Sequence, residues 1–358
     1  MSDNSIRTVG PKNAKKAIAK AIQKRRPVFL WGPPGIGKSD IVKQIGDDAG
    51  REVIDVRLAL WEPTDIKGIP YYNSDKGKMV WSPPEELPTD PESTAIIFLD
   101  ELNSAPPAVQ AAAYQLILNR KVGTYSLPKG VDLVAAGNRE GDKGVTYRMP
   151  SPLANRFVHL EAKVDFDDWQ DWATLNKIHP EVVGYVGFAK QDLYDFDPKG
   201  GSKAFATPRS WSFVSDLLAD DDTDTETLTN LISGAIGDGL GVKFMAHRKI
   251  AGKLPKAEDI LKGKVKDLSI KEVSAMYSLT VSLCYELKDQ ADKKAKDWNE
   301  QADNFFVYMM TNFPTELVVM GAKTALTNYN LPLDATKMKS FDEFHKRFGK
   351  YVLKAMET

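Results

Sequence analysis

Gly32-Pro33-Pro34-Gly35-Ile36-Gly37-Lys38-Ser39 is the stretch that most limits what this chain can fold into. It has the spacing G-x-x-x-x-G-K-[ST]. A short apolar run, Pro27 to Trp31, precedes it, and Ser39 to Asp48 follows with helical periodicity, Ile41, Val42 and Ile45 falling on one face. A strand, a glycine loop and a helix in that order form a cradle for phosphate. Glycines let successive N–H groups turn toward anionic oxygens, and the helix N-terminus adds the positive end of its dipole. In such a cradle Gly32, Pro33, Pro34, Gly35, Ile36 and Gly37 wrap the phosphates. Lys38 brings a point charge to the β- and γ-phosphates, and Ser39 offers its hydroxyl to Mg²⁺.

A second apolar run, Ala95 to Leu99, ends in Asp100-Glu101 about sixty residues later. Strand ends at the carboxyl edge of a parallel sheet are where ligands bind. Asp100 is expected to hold Mg²⁺ together with Ser39, and Glu101 to orient and deprotonate the attacking water. Further strands are predicted at Glu52 to Leu58 and Val131 to Gly137, with helices at Lys12 to Arg26 and Pro107 to Asn119. Strand and helix alternate, which predicts an α/β fold: a nucleotide-binding core with a mostly parallel sheet. After about residue 160 helical patterns dominate. The expected division is a core over 1–160, a helical lid over 161–264 and a helical C-terminal extension over 265–358. The lysine-rich Lys253 to Lys266 is read as the link between the last two, and the acidic Asp220 to Glu226 as a loop or helix start.

These motifs together resemble the AAA+ ATPases over about residues 10 to 215. The resemblance implies that Asn138, after Ala135-Ala136-Gly137, is the sensor 1 residue at the γ-phosphate or the lytic water. It implies that Arg156, in Ser151-Pro152-Leu153-Ala154-Asn155-Arg156-Phe157, is the arginine finger, with Arg139 and Arg148 as rivals and pairing with Glu161 as the competing role. Arg209, in Thr207-Pro208-Arg209-Ser210-Trp211, matches the sensor 2 position. Leu60 to Gly68 is similar to a stretch of the MoxR-type and dynein-related AAA+ proteins, and Ile69 to Leu87 resembles their helix 2 insert, placed at about 60–88. Val122 to Leu127 and Val131 to Ala135 read as the hairpin that this clade carries before sensor 1. The Asn-Thr-Ala-Asp segment of the clade's GTP-specific restriction ATPases is absent, which favours ATP.

The implied function is ATP hydrolysis at the subunit interfaces of a homo-oligomeric, hexameric ring, in a chaperone-like remodelling ATPase. A partner with a von Willebrand factor A domain is implied by the resemblance alone. Two rivals stand beside that reading: a nucleic-acid motor, since minichromosome-maintenance helicases share the insert and hairpin, and a nucleotide-gated scaffold, against which Glu101 argues. The formal net charge of -1 and the charge-mixed insert speak against nucleic acid as the partner. The single cysteine, Cys284, excludes an internal disulfide, and His159, His179, His247 and His345 have no ligand spacing for a protein-built metal site. No secretory signal and no membrane-spanning run is read, so a cytosolic, cytoplasmic location is expected.

Overall fold

The computed structural model describes residues 7–142, 146–219 and 223–357. The described residues fall into two compact units. The first runs to Asp165 and takes back Asp197–Gly200, and the second comprises Phe166–Phe196 and the chain from Gly201 onward.

The first unit begins β1 (Thr8–Val9), α1 (Pro11–Gln23), β2 (Val28–Trp31), α2 (Lys38–Ala49) and β3 (Val53–Arg57). A short α3 (Pro63–Lys67) leads to the strands β4 (Ile69–Asn73) and β5 (Lys78–Ser82). Then come β6 (Ile96–Asp100), α4 (Pro107–Asn119), the two-residue strands β7 (Lys121–Val122) and β8 (Tyr125–Ser126), β9 (Asp132–Gly137), α5 (Ser151–Ala154) and β10 (Val158–Ala162). Six strands form one sheet in the order β1-β10-β2-β9-β6-β3, with every pairing parallel. Strands β2, β9 and β6 lie inside it and are buried along almost their whole length. That is why they read as unbroken apolar runs instead of alternating ones. Parallel pairing puts the carboxyl ends of β2, β9 and β6 side by side on one edge, and the loops that leave that edge carry the sequence motifs.

One sequence expectation is corrected here, and one strand is added. The hairpin before Asn138 is β7–β8, turning at Gly123-Thr124. Val131 to Ala135 instead belongs to β9, between β2 and β6. A wholly buried run such as Leu133-Val134-Ala135-Ala136 needs cover on both faces, which a surface hairpin does not give. Strand β10 was not read from the sequence at all. Its alternation of Val, His, Leu, Glu and Ala carries little apolar signal, yet it pairs with β2 from Val158↔Val28 to Glu161↔Trp31.

The second unit is helical: α6 (Phe166–Leu175), α7 (Pro180–Phe188), α8 (Pro208–Leu217), α9 (Thr225–Ile236), α10 (Asp238–Ala251), α11 (Ala257–Leu261), α12 (Val273–Asp292), α13 (Trp298–Asn312), α14 (Thr315–Lys323) and α15 (Phe341–Glu357). The expected lid and C-terminal extension pack together in it. Helix α12 lies against α7 so closely that a Cβ at Gly184 would collide with Ser278, and one at Gly187 would fall 2.8 Å from the Tyr277 ring. The lysine-rich link contains α11, whose Ile260 and Leu261 join the same apolar core as Phe305, Phe306 and Phe344. Of the acidic stretch, Asp220–Asp222 lie outside the described residues. Asp224 caps α9, its carboxylate accepting from the N–H groups of Glu226 and Thr227. Among the described residues no helix is long and apolar enough to cross a membrane.

Candidate nucleotide site

Strand β2 delivers the chain to Gly32, and the loop then turns through Gly35 (φ 76°) and Gly37 (φ 89°) into the first turn of α2. Both glycines occupy the left-handed region that side chains disfavour. Gly32 meets a different limit: a Cβ there would fall 2.6 Å from Ile36 Cδ1. Lys38 is the first residue of α2. Its Nζ donates to Gly32 O (2.7 Å), Pro33 O (3.1 Å) and Asn138 Oδ1 (2.9 Å). The ammonium therefore lies across the loop, beside the dipole end of the helix, where anionic oxygens gain most.

Asp100 is the last residue of β6. Ser39 Oγ donates to Asp100 Oδ2 (3.1 Å), and Glu101 N donates to Asp100 Oδ1 (2.9 Å). Ser39 and Asp100 thus form a pair of hard oxygen donors 61 residues apart in sequence, and they suit a Mg²⁺ that draws its remaining ligands from phosphate and water. Among the described residues no group of three or more His, Cys, Asp or Glu side chains could hold a metal by itself. Glu101 is exposed and has φ 55°. Its carbonyl accepts from Ser104 N and Ala105 N, which closes a tight turn at the end of the strand. On the neighbouring β3, Asp55 has its carboxyl held above the usual range by burial first and then by the charge of Asp100, with Arg57 opposing.

Asn138 directly follows β9, and β9 lies between β2 and β6. The sheet order therefore sets Asn138 between the phosphate loop and the acidic pair, and its bond to Lys38 closes that bridge. Asn103, which the sequence reading passed over, joins the cluster from beneath: its Nδ2 donates to Asn138 O (2.8 Å). A polar side chain three residues past a strand-ending carboxylate was the available signal.

Arg156 stands elsewhere. It follows α5 and precedes β10, so it lies toward the amino edge of the sheet, whereas Glu161, five residues on, is level with Trp31 at the mouth of the loop. The strand from Val158 to Glu161 alone spans about 10 Å at roughly 3.3 Å per residue. Arg156 is exposed, and among the described residues it makes no ion pair or side-chain hydrogen bond. Glu161 pairs with Arg139 instead, and Arg139 Nη2 also donates to Ala162 O (3.0 Å). Arg148 is exposed. Arg209 is exposed in the first turn of α8 in the second unit, where Thr207 and Ser210 form a capping box.

Residues 27–157 match the AAA domain of the dynein-related subfamily. The matched stretch contains the phosphate loop, Asp100, Glu101, Asn138 and Arg156, and it supports ATP hydrolysis as the activity of the site. The whole second unit, Arg209 included, lies beyond it. Over 194 residues the chain is 28% identical to Midasin of Giardia intestinalis, a match covering 51% of this chain and 4% of that one. The chain thus spans a small fraction of that relative's length. Among solved structures, a mutant RuvB of Thermotoga maritima is 17% identical, covering 84% of this chain and 88% of that one with a TM-score of 0.40. NtrX of Brucella abortus in complex with ADP is 13% identical, covering 99% and 70%, with a TM-score of 0.39. Neither adds to the fold already read from the strand order.

Proposed function

We propose that the chain is an ATP-driven remodelling motor working as a homo-oligomeric ring of six copies, in which each nucleotide is gripped by the loop of one copy and reached by Arg156 of the next. The observation that carries this reading is the placement of Arg156, exposed, without an ion-pair partner among the described residues and toward the sheet edge away from its own phosphate loop. A guanidinium placed there serves a neighbour's nucleotide better than its own.

In this reading Lys38 exchanges the carbonyls of Gly32 and Pro33 for β- and γ-phosphate oxygens, and Asn138, released from Lys38, accepts from the water through Oδ1 or donates to the γ-phosphate through Nδ2. Glu101 takes a proton from the water as its oxygen bonds to the γ-phosphorus and the bond to the bridging oxygen breaks, leaving ADP and phosphate. Mg²⁺, held by Ser39 and Asp100 with the nucleotide, would neutralise charge on the phosphates. Arg156 stabilises the charge that develops, an effect on the order of 10³–10⁵ in rate for arginine fingers. Arg209 takes the sensor 2 role that the resemblance implies, in its own copy or in a neighbouring one. A MoxR-type role with a von Willebrand factor A domain partner, in the cytoplasm, fits the same reading.

The nucleic-acid motor is the weaker reading, because three arginines of the first unit are already engaged. Arg120 Nη2 donates to the Pro128 and Val131 carbonyls, both at 2.7 Å, and Arg25 and Arg51 are paired with the buried Asp132. A phosphate track needs free positive charge.

The test mixes two inactive variants, Arg156→Ala and Lys38→Ala. In random rings about one quarter of interfaces join an intact Lys38 to an intact Arg156, so turnover should recover toward about one quarter of wild type if sites act independently. Mixed rings that assemble and recover nothing would overturn the shared site.

A further inference from the structure

We infer that Asn103 is a positioning residue for hydrolysis, holding Asn138 and the Glu101 turn in one fixed relation. The inference rests on the ATPase reading of the site. Asn103 is 1% exposed, a level of burial at which an amide side chain must be hydrogen-bonded or else destabilise the fold. Its two ends divide the work. Nδ2 donates to Asn138 O at 2.8 Å, while Oδ1 is buried without a partner. The amide therefore leaves its carbonyl oxygen unsatisfied to be where it is, and the bond its nitrogen makes goes to the main chain of Asn138, whose side chain reaches Lys38.

The backbone around Asn103 completes the clamp. Leu102 N donates to Ala136 O (3.1 Å) and Tyr147 N donates to Asn103 O (2.6 Å), so the turn after β6 is fastened to the end of β9 and to Tyr147. Gly137 is where the two pack closest, since a Cβ there would collide with Asn103 Oδ1. Glu101 and Asn138 thus leave adjacent strands, and the Asn103 amide adds a side-chain tie to the backbone bonds that hold their separation. A water lined up between a base and a γ-phosphate gains rate only while that separation is kept, and a misplacement of about 1 Å can cost on the order of 10²-fold. Asn103 touches neither the phosphates nor the water in this arrangement. It acts through Asn138.

Two substitutions test this. Asn103→Leu keeps the volume and removes the donor. Asn103→Asp keeps the shape, and its carboxyl can donate to Asn138 O only when protonated. For Asn103→Leu, kcat is expected to fall about 10- to 100-fold, with the Kd for ATP, measured by calorimetry, within about threefold of wild type. For Asn103→Asp, turnover relative to Asn103→Leu should rise as pH is lowered from 8 to 6, as the donor returns, and circular dichroism should show the same folded state at both pH values. A cycle with Asn138→Ala should be non-additive, because both changes remove one arrangement. Wild-type turnover with Asn103→Leu equally active, or effects of the two residues that multiply in full, would overturn the positioning role alone. A folded wild-type chain without ATP turnover would overturn the ATPase reading and this role with it. If Asn103→Leu does not fold, the pH profile of Asn103→Asp and its cycle with Asn138→Ala decide the matter, and a flat ratio to wild type across that pH range overturns the proposal.

Discussion

Glu101 combines two properties that rarely meet in one residue: an exposed carboxylate beside the phosphate loop and a left-handed backbone at φ 55°. A non-glycine residue there costs about 1 kcal/mol relative to glycine, and such strain is kept where the surrounding structure imposes it. Here the turn imposes it, since Ser104 N and Ala105 N both donate to the Glu101 carbonyl while Glu101 N is held by Asp100. Two variants separate the carboxylate from the strain. Glu101→Gln should bind ATP with near wild-type affinity and hydrolyse it at least about 10²-fold more slowly, because the amide cannot act as a base. Glu101→Gly should be equally inactive and as stable as wild type or up to about 1 kcal/mol more so in denaturant unfolding. A Glu101→Gly variant that is clearly less stable would mean that the side chain supports the fold, and the assignment of Glu101 to chemistry alone would fail.

At the scale of elements, the sequence disclosed the parts that repeat one apolar signal and hid those that depend on partners. The runs at β2, β6 and β9 were legible because strands buried on both faces leave no polar positions, and with them came the candidates Lys38, Ser39 and Asp100, whereas Asn138 came from the resemblance. Strand β10 was hidden by its His159 and Glu161, and the β7–β8 hairpin was misplaced because two-residue strands leave no periodicity to read. The stretch Ile69 to Leu87 was recognised by resemblance, without its shape. It contains the antiparallel hairpin β4–β5, which is fixed to β7–β8 through Trp81: Thr124 Oγ1 donates to Trp81 O (2.7 Å), and a Cβ at Gly123 would sit 3.2 Å from the Trp81 ring. Val80 is buried, but Ile69, Tyr71, Tyr72 and Met79 are all about half exposed or more, with Tyr72 opposite Met79. Exposed apolar side chains paired across a hairpin form a contact surface rather than a core. The double change Tyr72→Ser, Met79→Ser spares the Trp81 and Val80 anchors. It should leave basal turnover within about twofold and stability within about 1 kcal/mol, and it should abolish stimulation of turnover by an unfolded model polypeptide. Stimulation that survives the change would remove this hairpin from the list of contact surfaces.

At the scale of the whole molecule, the second unit does not follow the divide the sequence suggested at residue 264, because α7 and α12 meet through Gly184 and Gly187, which carry no side chain to hold the helices apart. Glycine inside a helix costs on the order of 1 kcal/mol relative to alanine, so its use there marks close packing as the larger gain. His247 of α10 is buried beside this contact. Its Nε2 lies 3.1 Å from Ser278 Oγ of α12, and its ring is 5.5 Å from that of Tyr185 on α7. Burial pushes its pKa from 6.5 down to about 4, only partly opposed by the Glu181 main chain. Because the folded pKa lies below the unfolded one, the unfolded chain binds the proton first as pH falls. Stability of the second unit should therefore decline from about pH 6.5 to about pH 4 and level off below that, by an amount on the order of 3 kcal/mol from this residue. Denaturant unfolding between pH 7.5 and 4, followed by Trp211 fluorescence, measures the slope. His247→Gln keeps a group able to bond Ser278 and carries no titrating ring, so its slope over that window should be shallower than wild type even if its stability at pH 7.5 is lower. Equal slopes would place the acid sensitivity in the carboxylates instead, and the joint of α7, α10 and α12 would then owe nothing to a neutral histidine.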